Sequence, residues 1–335
     1  MQYTKLGGTD IDISRICVGC MSFGKAGTMH DWTLNAEDSE TVVRHALDLG
    51  INFFDTANGY SKGTSEEYLG RALARTTRRD RVVIASKVYF NAGRLSDRAI
   101  HREIEGTLKR LGTDYLDLYI IHRFDYETPI EETLQALDDL VRSGKVRALG
   151  ASAMYGYQFH NMQIAARDNG WTRFSAMENH YNLLYREDER ELIPICRQMG
   201  VSLMPYSPLA AGHLTRPTWT TDTLRSETDN VSRGKYDRAE ENDMAIVRRV
   251  AKVADDHGVP MSQVAIAWQW AKGVASPIIG ATKAGHFDDA AAALDLRLTP
   301  EEITYMEEPY MPHTIVGAID HNPPQGTILL DTEKN

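Results

Sequence analysis

Short apolar runs rich in Val, Ile and Phe recur along this chain, each followed by an amphipathic stretch of helical length and then by turn residues. No other feature constrains the fold as strongly. Runs of about four to eight such residues bounded by turn signals read as strands, and the longer stretches between them as helices. The strand candidates are Ile13–Gly19, Ile51–Thr56, Val82–Lys87, Leu116–His122, Val146–Ser152, Phe174–Asn179, Val201–Tyr206 and Ser276–Gly280. Strands separated by helices pair in parallel, because each crossover returns over a face of the sheet. Eight units of this kind over about 250 residues predict an α/β fold closed as a (β/α)8 TIM barrel, with an open parallel sheet as the alternative.

Helix starts carry capping chemistry. Thr128-Pro129-Ile130-Glu131 and Thr299-Pro300-Glu301-Glu302 place a capping hydroxyl, a proline at the first helical position and a glutamate reaching back. Thr64 with Glu67 predicts a further capping box. The first dozen residues, with Gly7-Gly8 between short alternating runs, predict a hairpin that caps the N-terminal end of the barrel. The stretch Leu209–Arg238 is polar and too long for an ordinary connection, so it is expected to form a functional loop over the strand ends. The tail beyond Met311, with Pro312, Pro323 and Pro324, is expected to be irregular and to extend across that face. No short-period repeat or linker interrupts the chain, so residues 1–335 read as one barrel domain.

With 37 Lys and Arg against 47 Asp and Glu, the formal net charge is −10. This balance argues against nucleic acid or an anionic membrane as a partner, since affinity for phosphate backbones comes from clustered cations. The N-terminal MQYTKLGGTDID lacks the apolar core of a signal peptide, and no apolar stretch reaches the roughly 18 residues of a membrane span. Three cysteines, an odd and sparse count, fit a reducing compartment, and the expected location is cytoplasmic.

The chemistry gathers where barrel geometry would collect it. Asp55, Lys87 and His122 close the second, third and fourth apolar runs, and Tyr60 follows Asp55 by five residues. Strand ends of one polarity share one mouth, where catalytic groups of such barrels project. An ammonium beside a phenol favours the phenolate and so makes the phenol a better proton donor, and a carboxylate beside that amine keeps it protonated against desolvation. His122 would donate to a substrate oxygen on which negative charge develops. Singly, these residues also read as a structural ion pair, a satisfied core histidine and a packing tyrosine. Together they form a proton-donating constellation.

The segment running from Gly50 through INFFDTANGYSKGTSEEYLGRAL, the run ASK ending at Lys87 and the run LYIIH ending at His122 resemble the signature segments of the aldo-keto reductase superfamily. The resemblance covers essentially the whole chain. Through HYNLLYREDERELIP, SPLAAGHLTRP and PIIGATKAGHFDDA it is most similar to the branch containing bacterial YajO-type reductases and fungal aryl-alcohol dehydrogenases. It implies NADPH-dependent reduction of a small-molecule carbonyl, with a catalytic tetrad on Asp55, Tyr60, Lys87 and His122. It further implies a nicotinamide carboxamide near Ser152 and Glu178, a ring stacked on Tyr206, and a pyrophosphate under Ser207, Leu209 and Gly212. Thr282 and Lys283 would meet the adenosine 2′-phosphate, with His286 and Asp289 nearby, and Gly280 would be a further cofactor-binding residue. No G-x-G-x-x-G strand-to-helix turn is present, in keeping with cofactor binding outside a Rossmann fold.

Three positions depart from the family's pattern: Ala153 and Ala290 stand where Asn is usual, and Glu178 where Gln is expected beside the nicotinamide. An ionised Glu178 would favour the cationic oxidised ring over the neutral reduced one. Gly19-CMSF-Gly24-Lys25-Ala26 nearly spells a Walker A loop but lacks the hydroxyl that holds Mg2+. Cys17 and Cys20 would point to opposite faces of a strand, no second Cys pair accompanies them, and the histidines lack ligand spacing, so no metal is expected. Trp32, Phe90, Phe124 and Trp219 are expected to wall the substrate site, with Arg123 either selecting an acidic substrate or acting as an ion-pair partner. The other functional class to weigh is a cofactor-sensing regulatory subunit, since potassium-channel β subunits share this fold and tetrad. A barrel isomerase or metal-assisted hydrolase is disfavoured by the missing carboxylate–histidine set. Relatives occur as monomers, dimers and larger rings, which leaves a homo-oligomer open.

Overall fold

The computed structural model describes residues 1–219, 234–236, 239–280 and 282–316. Its strands are β1 (Tyr3–Lys5), β2 (Asp12–Ser14), β3 (Cys17–Gly19), β4 (Phe53–Asp55), β5 (Val83–Val88), β6 (Leu116–Ile121), β7 (Val146–Ser152), β8 (Phe174–Glu178), β9 (Ser202–Leu203) and β10 (Ile278–Gly280). The helices are α1 (Ala36–Asp48), α2 (Thr64–Thr76), α3 (Asp97–Leu111), α4 (Ile130–Arg142), α5 (Gly156–Asp168), α6 (Leu192–Gln198), α7 (Glu240–His257), α8 (Met261–Ala271), α9 (His286–Ala292) and α10 (Pro300–Glu307).

Eight strands form one parallel sheet in the order β10-β3-β4-β5-β6-β7-β8-β9. Its edges meet: the Ala275 amide donates to the Leu203 carbonyl at 3.0 Å and the Ile278 amide to the Pro205 carbonyl at 2.9 Å, closing a (β/α)8 barrel. Strands β5 and β6 are buried along their whole length because both faces are covered. Inward residues Cys17, Phe53, Val83, Ala85, Leu118, Ile120, Ala148, Ala176, Met204 and Ile278 fill the barrel. Their alternates, among them Val18, Phe54, Ile84, Tyr119, Leu149 and Met177, pack with the surrounding helices. Small residues oppose large ones inside: a methyl group on Gly150 would stand 2.9 Å from Ile120.

The predicted hairpin is present as β1 paired with β2, and its Leu6, Ile11 and Ile13 join the interior cluster from below. The first apolar run, read as one strand over Ile13–Gly19, is divided between β2 and β3, with Arg15 and Ile16 at the bend. There the Arg15 amide donates to the Gln2 carbonyl and its guanidinium to the Val274 carbonyl. The box at Thr299 forms, with Thr299 and Glu302 each accepting from the other's amide. The other two do not: Thr64 spends its hydroxyl on the Ser61 carbonyl and Thr128 on Asp125. Cys17 and Cys20 are buried thiols, the first inside the barrel and the second among the helices. Within the long connection read as Leu209–Arg238, residues 220–233 and 237–238 lie outside the described residues, as do Pro323 and Pro324 of the tail.

Leu6 is fully buried in the barrel floor, remote from the strand ends. Leu6→Ala is expected to lower the unfolding free energy in urea by about 2–5 kcal/mol while leaving the catalytic mouth intact. An unchanged midpoint would show that the hairpin does not plug the barrel.

Candidate active site

Strand alternation sets the parity of the barrel's upper layer. Counting up by two from the inward Phe53, Ala85, Ile120, Gly150 and Ala176, the next inward positions are Asp55, Lys87, His122, Ser152 and Glu178. The apolar filling below therefore delivers polar side chains above it at the carboxyl ends of the strands. Lys87 is entirely buried, and its ammonium donates to Asp55 Oδ2 at 2.5 Å, the Thr56 carbonyl at 3.0 Å and Tyr60 Oη at 3.3 Å. A second carboxylate oxygen, Oε2 of Glu178, stands 3.4 Å from the same nitrogen and has no hydrogen-bond partner. Ser152 donates to the Glu178 carbonyl at 2.8 Å.

Tyr60 reaches this layer from a strained turn. Ser61 and Lys62, directly after it, are both left-handed, with φ of 47° and 57°, and Gly63 follows at 87°. For side-chain-bearing residues this region costs roughly 1–2 kcal/mol each, so surrounding contacts must hold the turn. Gly24 lies against it: a methyl group there would stand 2.4 Å from Ser61 Cβ. Helix α2 is anchored by Glu66, fully buried, which accepts from Ser86 Oγ and Arg110 Nε at 2.5 Å each. One side of that anchor is the neighbour of Lys87 in β5.

Burial opposes the charge on Lys87, yet Asp55, Glu178 and Tyr60 around it hold its pKa well above the usual amine range. Burial raises Asp55, with Lys87 pulling it back. Burial also raises Tyr60, with Asp55 and Glu178 adding to it, so the opposing pull of Lys87 does not win in the resting state. The expected ammonium effect is present but outweighed, and the phenol keeps its proton. Burial and the cations Lys87 and Arg123 push His122 far below the usual imidazole range, which leaves it neutral with one N–H to donate. Its ring meets Tyr60 edge-on at 5.7 Å and Phe90 at 5.0 Å.

The remaining predicted positions ring this centre. Tyr206 stacks on His180 at 5.2 Å, and His180 on Tyr185 at 4.2 Å. Ser207 and Gly212 both have positive φ, and the Arg216 guanidinium lies 3.3 Å from where a side chain on Gly212 would begin. Leu209 is half-buried between them. Gly280 ends β10, Thr282 and Lys283 follow it exposed, and His286 and Asp289 lie on α9. Of the aromatic residues, Phe90 faces His122 and is 49% exposed, which opens it to the mouth. Arg123 lies 5.0 Å from the Phe90 ring and forms no ion pair among the described residues. Trp32 stacks on His30, Phe124 contacts Tyr126, and Trp219 stacks on His213.

Reading the sequence missed several neighbours. Arg216 lies in a bend after Thr215, and Lys235, whose ammonium stands 4.7 Å from the Tyr206 ring, lies in a short helical turn at 234–236. His180 was visible as the residue two places after Glu178. Tyr310 and the His313 amide both donate to Glu187 at 2.8 Å, bringing the described part of the tail across this end of the barrel.

Replacing Lys87 by Met would leave two buried carboxyl groups facing each other without a cation. Lys87→Met is expected to cost about 3–5 kcal/mol near pH 8 and distinctly less near pH 5, where the carboxyls take up protons. Urea unfolding at the two pH values checks this, and equal losses would remove the ion cluster from the account.

The pattern of the Aldo/keto reductase family matches residues 15–310. The versiconal hemiacetal acetate reductase of Aspergillus parasiticus is 42% identical, over 94% of this chain and 98% of its own. A putative aryl-alcohol dehydrogenase of Schizosaccharomyces pombe is 41% identical over 95% and 98% respectively. One from Saccharomyces cerevisiae is 40% identical over 93% and 98%.

Proposed function

This chain belongs to the aldo/keto reductase family, and from that premise we propose that it is an NADPH-dependent reductase of aldehydes and ketones whose catalytic groups are Asp55, Tyr60, Lys87 and His122. The observation that carries the reading is Lys87, buried with Asp55 at 2.5 Å and Tyr60 at 3.3 Å in one layer of the barrel mouth.

The residues present fit a nicotinamide nucleotide. Glu178 Oε2 and Asn179 Oδ1, both near Tyr206, are buried polar atoms without a hydrogen-bond partner among the described residues, acceptors that a carboxamide NH2 would satisfy. Arg216, with no ion pair among the described residues, lies against the bare Gly212 where an anion is expected. Ser152 and Glu178 would hold the carboxamide, and Ser207, Leu209 and Gly212 the pyrophosphate. Gly280, Thr282 and Lys283, with His286 and Asp289, would hold the adenosine end. When bound, the nucleotide supplies the hydride.

His122, neutral, donates its N–H to the substrate oxygen and orients the carbonyl for attack. Tyr60, kept as a phenol by burial, gives its proton to that oxygen as negative charge develops. The resulting phenolate faces the Lys87 ammonium, which compensates it, while Asp55 fixes that ammonium in place. Phe90 covers one side of the pocket, and Trp32, Phe124 and Trp219 are proposed to shape the rest. The names of the yeast relatives favour aromatic aldehydes, and unpaired Arg123 favours those carrying an acidic group. No helix among the described residues is long and apolar enough to cross a membrane. One catalytic unit over 1–335 and a cytoplasmic location complete the reading.

Absorbance-monitored NADPH oxidation with 4-nitrobenzaldehyde and methylglyoxal tests it. Wild type is expected to turn over, and Tyr60→Phe to lose about 10²–10⁴-fold in kcat. Tight NADPH binding with no turnover on any carbonyl would favour the regulatory-subunit reading instead. Lys283→Ala is expected to weaken NADPH about tenfold, some 1.4 kcal/mol, with NADH unaffected. An equal loss for both nucleotides would remove the 2′-phosphate contact.

A further inference from the structure

Two carboxyl groups share one buried ammonium: Asp55 at 2.5 Å and Glu178 at 3.4 Å from Lys87 Nζ, all three buried. One cation balances one anion. With both carboxyls ionised the cluster would carry a net negative charge in a medium where isolated charge is costly. The proton that neutralises it belongs on the partner with the poorer contact. Asp55 takes the short direct hydrogen bond, whereas Oε2 of Glu178 accepts none, so Glu178 is the carboxyl left to hold the proton.

We infer that Glu178 sets the protein's preference between the oxidised and reduced nicotinamide nucleotide, holding a proton when the ring is neutral and releasing it when the ring is cationic. The inference rests on the cofactor reading above and ties the ionisation of Glu178 to the charge of the ring. While protonated, Glu178 offers a donor, as the glutamine usual in the family would. Once ionised beside a positive ring, it gains a charge partner in addition to Lys87.

Groups on the neighbouring elements face Glu178. Cys17 on β3, Tyr60 after β4 and Tyr206 after β9 are all raised by burial and stay protonated through neutrality. Lys87 on β5 stays charged, Asp55 on β4 keeps the shorter bond, and β7 contributes only the Ser152 hydroxyl. Burial, with Asp55 adding, pushes Glu178 itself up to about 8. A cationic ring lowers that value, so affinity for the oxidised nucleotide rises with pH between the lowered value and about 8, then levels off. Affinity for the reduced form lacks this rise. The 2′-phosphate titrates in both nucleotides and cancels in their ratio.

The test is calorimetric titration of the full chain with NADP+ and with NADPH from about pH 6 to about pH 9, in buffers of different ionisation enthalpy. Wild type is expected to release protons on binding NADP+ near pH 7.5, and the ratio Kd(NADPH)/Kd(NADP+) to rise with pH by up to about tenfold per unit. Glu178→Gln should bind both nucleotides with no excess proton release and a flat ratio. Glu178→Asp, which retains an acid, should keep a pH-dependent ratio if the glutamine variant fails to fold. A flat ratio in wild type, or the same slope in Glu178→Gln, overturns the inference while leaving the cofactor reading intact. Binding of neither nucleotide overturns both.

Discussion

An ammonium held inside a protein barrel is the constraint on which the rest of this structure depends. Burying Lys87 is tolerable only because Asp55 meets it at hydrogen-bond distance and the Thr56 carbonyl takes another of its protons. That requirement fixes where β4 ends relative to β5, and the register in which Asp55 lies opposite Ala85 supplies it. It also demands a dry floor. Phe53, Val83, Leu118, Ile120, Met204 and Ile278 provide one, and the hairpin closes it from below. The polar layer thus sits on an apolar plug, and the two ends of the barrel carry separate duties.

The strain in the turn after Tyr60 is intelligible on the same terms. The tyrosine must come back over the strand ends to reach Lys87, and a relaxed chain would not double back so tightly. The cost of left-handed Ser61 and Lys62 is offset by packing around them, with Gly24 in contact with the turn and Glu66 bolting the next helix to Ser86 and Arg110. Residues that never touch a substrate therefore determine where the phenol stands.

Much of this was legible before any coordinates. Short apolar runs alternating with helix-length stretches exposed the strands, and polar residues closing those runs marked Asp55, Lys87 and His122, because little else explains a charge at the end of a buried strand. The failures have local causes. The first run bends at Arg15, where backbone and side chain bond to neighbouring segments instead of continuing the ladder. The run read as Val201–Tyr206 shortens to β9, although Met204 and Tyr206 still donate to the Met177 and Asn179 carbonyls beside it. Thr64 and Thr128 look like helix caps in one dimension, but oxygens three residues upstream, the Ser61 carbonyl and the Asp125 carboxylate, claim their hydroxyls. The sharing of Lys87 between two acids was invisible, because it depends on the register of strands 91 residues apart in numbering. Arg216 sits in a bend and Lys235 in a helical turn of three residues, both too short to show a period that points inward.

The complete burial of Lys87 bears on the chemical durability of an enzyme that handles electrophiles. Aldehydes condense with free amines, and a lysine at the heart of a reductase pocket is exposed to its own substrates on every turnover. Here the nitrogen has no lone pair to offer: it is protonated, fully buried and held by Asp55. On the proposed reading, the ion pair that would compensate a Tyr60 phenolate is also what denies an aldehyde a free amine with which to form an imine.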